Sequence, residues 1–133
     1  MTMYYFAYGS NLNRKQMQER CPESLPKFPA TLHHYQVVFV GWSRSWRGGV
    51  ATIRPIRGGK TPGAIYEVSE ECLRRLDKHQ GSDYRRLNVI ANNEDGEPIE
   101  AVTYIQSGRA EPGKPSPEYL AAMQQGYKDW RLR

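Results

Sequence analysis

The sequence has few of the residues that usually staple small domains or hold metals. It carries two cysteines, Cys21 and Cys72, in 133 residues. Two cysteines make no disulfide framework, and these two lack the CxxC spacing of a zinc knuckle. A reducing cytoplasm is therefore the expected compartment. The three histidines, His33, His34 and His79, show no HExxH or other ligand spacing, so no metal site is expected. No apolar run approaches the roughly 20 residues that a bilayer-spanning helix needs. The opening residues MTMYYFAYGSNL have no basic stretch followed by an apolar one, so neither a membrane partner nor a secretory leader is expected. GxGxxG, Walker and GxSxG motifs are absent, which removes the signatures of a nucleotide-binding crossover and of a hydrolase nucleophile elbow.

What is present describes a folded chain. Hydrophobic residues make up 38% and charged residues 25%, with nine Tyr, three Trp and three Phe. That excludes a disordered chain, a collagen-like chain and a coiled coil. The length fits a single domain over 1–133 with a core of its own. The formal net charge is +5, but its arginines are scattered: Arg44, Arg47, Arg54, Arg57, Arg74, Arg75, Arg85 and Arg86. No lysine-rich tail or RNA-recognition signature accompanies them, so no nucleic-acid partner is expected. A solvated basic surface is the first reading, and steering of a small anion the second.

Along the chain, Met3 to Tyr8 reads as a buried strand broken by Gly9-Ser10. Asn11 or Asn13 caps a short helix to about Arg20, which Cys21-Pro22 ends. A proline-rich loop precedes a strand over 30–40. Gly49 to Ile53 and Gly63 to Val68 read as two further strands, separated by a turn at Arg57-Gly58-Gly59-Lys60. Ser69 followed by Glu70 and Glu71 starts a helix, with the acids at the positive end of its dipole. Cys72, Leu73 and Leu76 form its apolar face, and Gly81 closes it. Tyr84 to Ala91 and Ile99 to Gln106 form a hairpin around Asn93-Glu94-Asp95-Gly96. Ser116-Pro117 caps a last helix running to about Trp130. The expected class is α+β: a small mixed, mostly antiparallel sheet or partly closed barrel with helices packed on it.

Four segments are candidates for chemistry. Tyr8-Gly9-Ser10-Asn11-Leu12 follows the first strand, where a glycine turn entering a helix aims backbone N–H groups together and can cradle an anion. Spacing alone equally describes an ordinary strand-to-helix turn. Leu76-Asp77-Lys78-His79-Gln80-Gly81 ends the second helix; here His79 reads as a surface residue before an acid-base group, and Asp77 as an exposed or hydrogen-bonding residue rather than a catalyst. Trp46-Arg47-Gly48-Gly49 opens a strand and reads as a bend. Tyr84, Tyr104 and Tyr119 combine packing with a hydroxyl.

Taken in order, these segments resemble the gamma-glutamylcyclotransferase-like family. Tyr5-Phe6-Ala7-Tyr8-Gly9-Ser10-Asn11-Leu12 is similar to its first loop. Arg47-Gly48-Gly49-Val50-Ala51-Thr52-Ile53 and Gly63-Ala64-Ile65-Tyr66-Glu67-Val68 resemble two of its strand segments. Leu76 to Gly81 followed by Tyr84-Arg85-Arg86 looks like its Leu-Asp-x-x-Glu-Gly…Tyr element, and Pro115-Ser116-Pro117-Glu118-Tyr119 like the start of its last helix. The resemblance implies a small, partly barrel-like fold and an enzyme with no metal or organic cofactor. Its small-molecule substrate carries a gamma-glutamyl group, which is cyclised to 5-oxoproline with release of the attached amine. It further implies that Tyr8, Gly9, Ser10, Asn11 and Leu12 hold the gamma-glutamyl end. Tyr84 and Tyr119 bond the substrate or position residue 80, a core role being open for Tyr84. Trp42 and Trp46 would line the leaving-group side, with Arg47 a candidate for a leaving-group carboxylate or an exposed residue.

The catalytic position implied by the resemblance is residue 80, where the family has Glu and this chain has Gln80. An amide keeps the shape of the carboxyl group and still hydrogen-bonds an amine, but it accepts no proton at neutral pH. Loss of a general base costs about 10²–10⁴-fold in rate. Three readings follow, in order of preference. Gln80 marks an engineered, inactivated Glu-to-Gln variant that traps ligand, the natural protein being an active enzyme; the chain is a naturally non-catalytic binder of gamma-glutamyl compounds or 5-oxoproline; or His79 has taken over proton transfer.

Overall fold

The computed structural model describes residues 2–107 and 110–132. Five strands are joined by three helices: β1 (Met3–Ala7), α1 (Arg14–Arg20), β2 (Leu25–Ser43), β3 (Gly48–Val68), α2 (Glu70–Gln80), β4 (Tyr84–Asn93), β5 (Pro98–Gln106) and α3 (Pro117–Asp129). A single 3-10 turn, Ser10–Leu12, connects β1 to α1. The strands close a barrel in the order β1-β3-β2-β4-β5. All neighbours are antiparallel except β1 and β5, which meet in parallel at Tyr5 and Val102. The expected α+β class holds, with the barrel closed.

β1 is buried on both faces. Tyr5 and Ala7 point into a core shared with Leu12, Met17, Leu73, Leu76 and Trp130. Phe6, on the other face of the strand, and Tyr8, just past its end, join Ile53, Ile65, Ala91 and Met123. This is the period-2 alternation of a strand between two layers. Leu73 and Leu76 are fully buried, each worth about 1.5–3 kcal/mol relative to exposure. They hold α2 on the first of these cores.

Each helix begins as the sequence predicts. The side chains of Asn13, Ser69 and Ser116 accept the backbone N–H of Gln16, Cys72 and Tyr119, respectively. α3 closes over the 3-10 turn: the Trp130 indole N–H donates to the Leu12 carbonyl at 2.9 Å, and Gly126 packs directly on Leu12, leaving no room for a Cβ. The turn after β1 is thereby clamped between two helices.

Three expectations change. The proline-rich loop is already strand from Leu25. The two strands expected at 49–53 and 63–68 are one strand, β3. His33 pairs with Lys60 and Tyr35 with Pro55, so four residues of β3, 56–59, bulge opposite His34. Gly58, at φ 79°, makes that excursion, after which β3 resumes its direction, because β2 supplies a ladder on both sides. The cysteines, given no structural task by their spacing, form a Cys21–Cys72 disulfide across 51 residues, with Cα atoms 5.6 Å apart. The end of α1 and the first turn of α2 pack together within bridging range.

Candidate active site

The end of β1, the two ends of α1 and α2, and the β2–β3 turn enclose a cleft of about 940 Å³. Tyr8, Gly9, Ser10 and Asn11 form its floor. Gln16, Glu19 and Arg20 of α1 form one wall, and His79, Gln80, Gly81 and Tyr84 another; Trp42 and Trp46 stand at the mouth, with Tyr119 beneath. The fold therefore gathers Gln80, Tyr84, Tyr119 and the first loop around one space. Leu12 is the exception: its side chain is fully buried in the core and does not line the cleft. The 3-10 turn rotates it inward under α3. Arg47 is exposed and also lies outside the cleft lining, whereas Trp42, 72% exposed, lies at its rim.

The floor is rigid because its polar atoms are cross-bonded. Gln16 Nε2 donates to Ser10 Oγ at 2.8 Å and to Asn11 Oδ1 at 3.0 Å. Arg20 Nη1 donates to the same Asn11 Oδ1 at 2.9 Å. Asn11 Nδ2 donates to the Tyr5 hydroxyl at 3.0 Å, and Tyr66 donates to the Asn11 carbonyl at 2.9 Å. Gln16 and Arg20 are four residues apart on α1 and so share a face. That spacing was the available signal for both, and the sequence reading passed over it.

Tyrosines surround the space, and their hydroxyls divide into two sets. Tyr8 donates to the Tyr104 carbonyl at 2.6 Å, Tyr84 to the Ala51 carbonyl at 2.6 Å, and Tyr104 to Asp77 Oδ1 at 2.6 Å. Their protons are committed to the protein. Tyr5 and Tyr119 differ. The Tyr5 oxygen accepts from Asn11; the Tyr119 oxygen accepts the N–H groups of Ser10 and Ala51, each at 3.3 Å. Neither hydroxyl proton has an acceptor among the described residues. Burial raises both phenols, that of Tyr5 to about 12, so both are proton donors at neutral pH. Tyr119 can approach the floor because residue 9 is glycine: a Cβ there would stand 2.7 Å from its hydroxyl.

Gln80 ends α2, half-buried, and Gly81 follows at φ 86°. That left-handed turn leads the chain out of α2 toward β4. α2 is fixed by Asp77, which accepts Arg86 Nη2 at 2.7 Å and Arg86 Nε at 3.0 Å in a two-point pair. Arg86 also donates to both oxygens of Glu70, at 2.8 and 3.0 Å. The Arg86 bonds hold the Asp77 carboxyl below its ordinary range. Asp77 thus positions the helix end, in line with the hydrogen-bonding role expected of it. His79 is exposed, its pKa lowered by partial burial and by the charge of Arg20. Among the described residues no cluster of three or more His, Cys, Asp or Glu is placed to hold a metal, and no helix is long and apolar enough to cross a membrane.

Known proteins resemble this chain in sequence and fold. The family model described as "Gamma-glutamyl cyclotransferase, AIG2-like" matches residues 5–131. The Gamma-glutamylcyclotransferase of Bos taurus is 30% identical over 132 residues, 94% of this chain and 70% of that protein. The Homo sapiens protein of the same name is 29% identical over the same shares. A solved structure called "Gamma-glutamyl cyclotransferase" superposes with a TM-score of 0.94 at 29% identity, covering 99% of this chain and 82% of the other.

Proposed function

Because the chain belongs to the gamma-glutamyl cyclotransferase, AIG2-like family, we propose that its cleft takes a gamma-glutamyl compound and that the scaffold is built to cyclise it. In that reaction the α-amine of the gamma-glutamyl group attacks its own γ-carbonyl carbon. The amide C–N bond then breaks, giving 5-oxoproline and the free amine. The α-ammonium must first lose a proton and the departing amine must gain one, so a single shuttle group suffices. No cofactor enters the scheme. The observation that carries the reading is the placement of residue 80 on the same cleft as the Tyr8–Asn11 floor.

In this reading Gln80 replaces the shuttle. It bonds the substrate amine and holds it near the γ-carbonyl without accepting its proton. Tyr119 offers its free hydroxyl proton to the ligand, and Tyr84, bonded to Ala51, braces the wall. Turnover by the chain as it stands is then slow. The same amide favours a second reading, in which the protein binds gamma-glutamyl compounds or 5-oxoproline without turnover. We place the protein in the cytoplasm, where thiol reductants oppose disulfides; the Cys21–Cys72 bond is fully buried there.

The test is Gln80→Glu assayed for 5-oxoproline against a panel of gamma-glutamyl amino acids and amines. The catalytic reading expects release to rise about 10²–10⁴-fold over the parent chain. A folded variant that binds 5-oxoproline but releases none from any substrate would decide for the binding reading.

A further inference from the structure

Arg20 is a half-buried cation without a counter-ion. It lines the cleft, yet no carboxylate lies within ion-pair range of it among the described residues. Its neighbour Glu19 lines the same cleft and does not pair with it. A guanidinium has five N–H donors, and one protein bond is made, from Nη1 to Asn11. Burial works against its charge. The bland explanation is a basic residue in the last turn of a helix, where the dipole favours it. That explains a cation at position 20, but not why this one turns inward onto the cleft floor while four donors stay unspent.

The two phenols with unassigned protons line the same cleft. Asn11 bridges Arg20 to Tyr5, and Tyr119 is bonded to the adjacent Ser10. The charge of Arg20 acts on both hydroxyls. We propose that Arg20, Tyr5 and Tyr119 form a carboxylate-binding subsite, and that it takes the α-carboxylate of the gamma-glutamyl head group and of 5-oxoproline. This rests on the proposed function and adds to it the side chains that select the ligand's charge.

The chemistry favours one planar monoanion. The flat fork of arginine matches a carboxylate in two parallel bonds, and two neutral O–H donors add directional bonds without further charge. One half-buried cation balances one negative charge, while Glu19 and Asp83 on the cleft wall repel a second. The assignment also divides the work. The Ser10 N–H is already engaged by Tyr119, so the carboxylate is held by side chains and the rest of the floor is left for the γ-carbonyl.

The experiment is calorimetric titration of the whole chain with 5-oxoproline, its uncharged amide and glutarate, repeated on R20Q, R20K and Y5F with thermal unfolding as the folding control. The wild type is expected to bind 5-oxoproline at least tenfold more tightly than the amide. R20Q should abolish that preference. R20K, which keeps the charge without the fork, should retain part of it, and Y5F should weaken 5-oxoproline several-fold. If R20Q unfolds, R20K and Y5F carry the test. 5-Oxoproline bound equally by wild type and folded Arg20 variants would overturn the subsite and leave the proposed function standing. Glutarate, a dianion, bound by the wild type as tightly as 5-oxoproline would overturn the selection of a single negative charge. No binding of any of the three by the wild type would overturn both.

Discussion

The phenol oxygen of Tyr119 accepts the backbone N–H of Ser10 at 3.3 Å, joining the first helix-bearing loop to the last helix across 109 residues. The same oxygen accepts from Ala51 on β3, and Trp46 packs edge-on against the ring at 4.9 Å between centroids. One side chain thus ties the cleft floor, the barrel and the mouth together. Tyr119→Phe keeps the ring and leaves two buried N–H donors unpaired, at a cost of about 1–3 kcal/mol. The expected result is a lower Tm by several degrees together with a roughly tenfold weaker affinity for 5-oxoproline. Unchanged values in both calorimetric measurements would remove Tyr119 from the site.

Asp77 makes stability depend on acid. Its carboxyl is held below the ordinary range by the Arg86 bonds and by Tyr104, against the opposing effect of desolvation. A carboxyl lowered in the native state stabilises above its unfolded value, near about 4. That contribution is lost as pH falls through the lowered native value. The pair is largely solvent-facing, which limits it to the order of 1 kcal/mol. Asp77→Asn should therefore lie below the wild type in Tm from about pH 5 to 8, with the gap closing below about pH 4. A gap that is constant across the acid range would show that the Arg86 pair carries no such linkage.

The Cys21–Cys72 bond closes a loop between residues 51 apart in sequence, which in the chain-entropy account stabilises by about 2–4 kcal/mol. Thiol reductant should lower the Tm of the wild type and leave that of a Cys21→Ala, Cys72→Ala double variant unmoved. Equal response of the two proteins would show that the bond does not form in solution.

Much of the fold was legible where the signal is local. Ser69 with Glu70 and Glu71, Ser116 with Pro117, and the turn at Asn93–Gly96 each carry their own geometry, and each element starts or turns where the sequence predicts. β3 was misread because Gly58-Gly59 has the chemistry of a turn. Only the partner strand β2, resuming its ladder beyond the bulge, keeps the chain straight. The cysteine pairing depends on how α1 meets α2, which no local pattern encodes.

The site divides along the same line. The first loop, Gln80, Tyr84 and Tyr119 were found by resemblance and meet in one cleft. Leu12, part of the same motif, serves the core instead. Tyr5 lies within the segment that reads as a buried strand, and the direction of its hydroxyl is a tertiary fact. Arg20 stands in the sequence only as the end of the first helix; its place on the cleft is a tertiary fact.

The most direct test of the account is a crystal structure of this chain, with Gln80 intact, bound to a gamma-glutamyl amine. The account predicts the head group on Tyr8–Asn11, with the amide of Gln80 within hydrogen-bond distance of the ligand's free α-amine. A ligand seated elsewhere, or Gln80 turned out to solvent with that amine unpartnered, would contradict it.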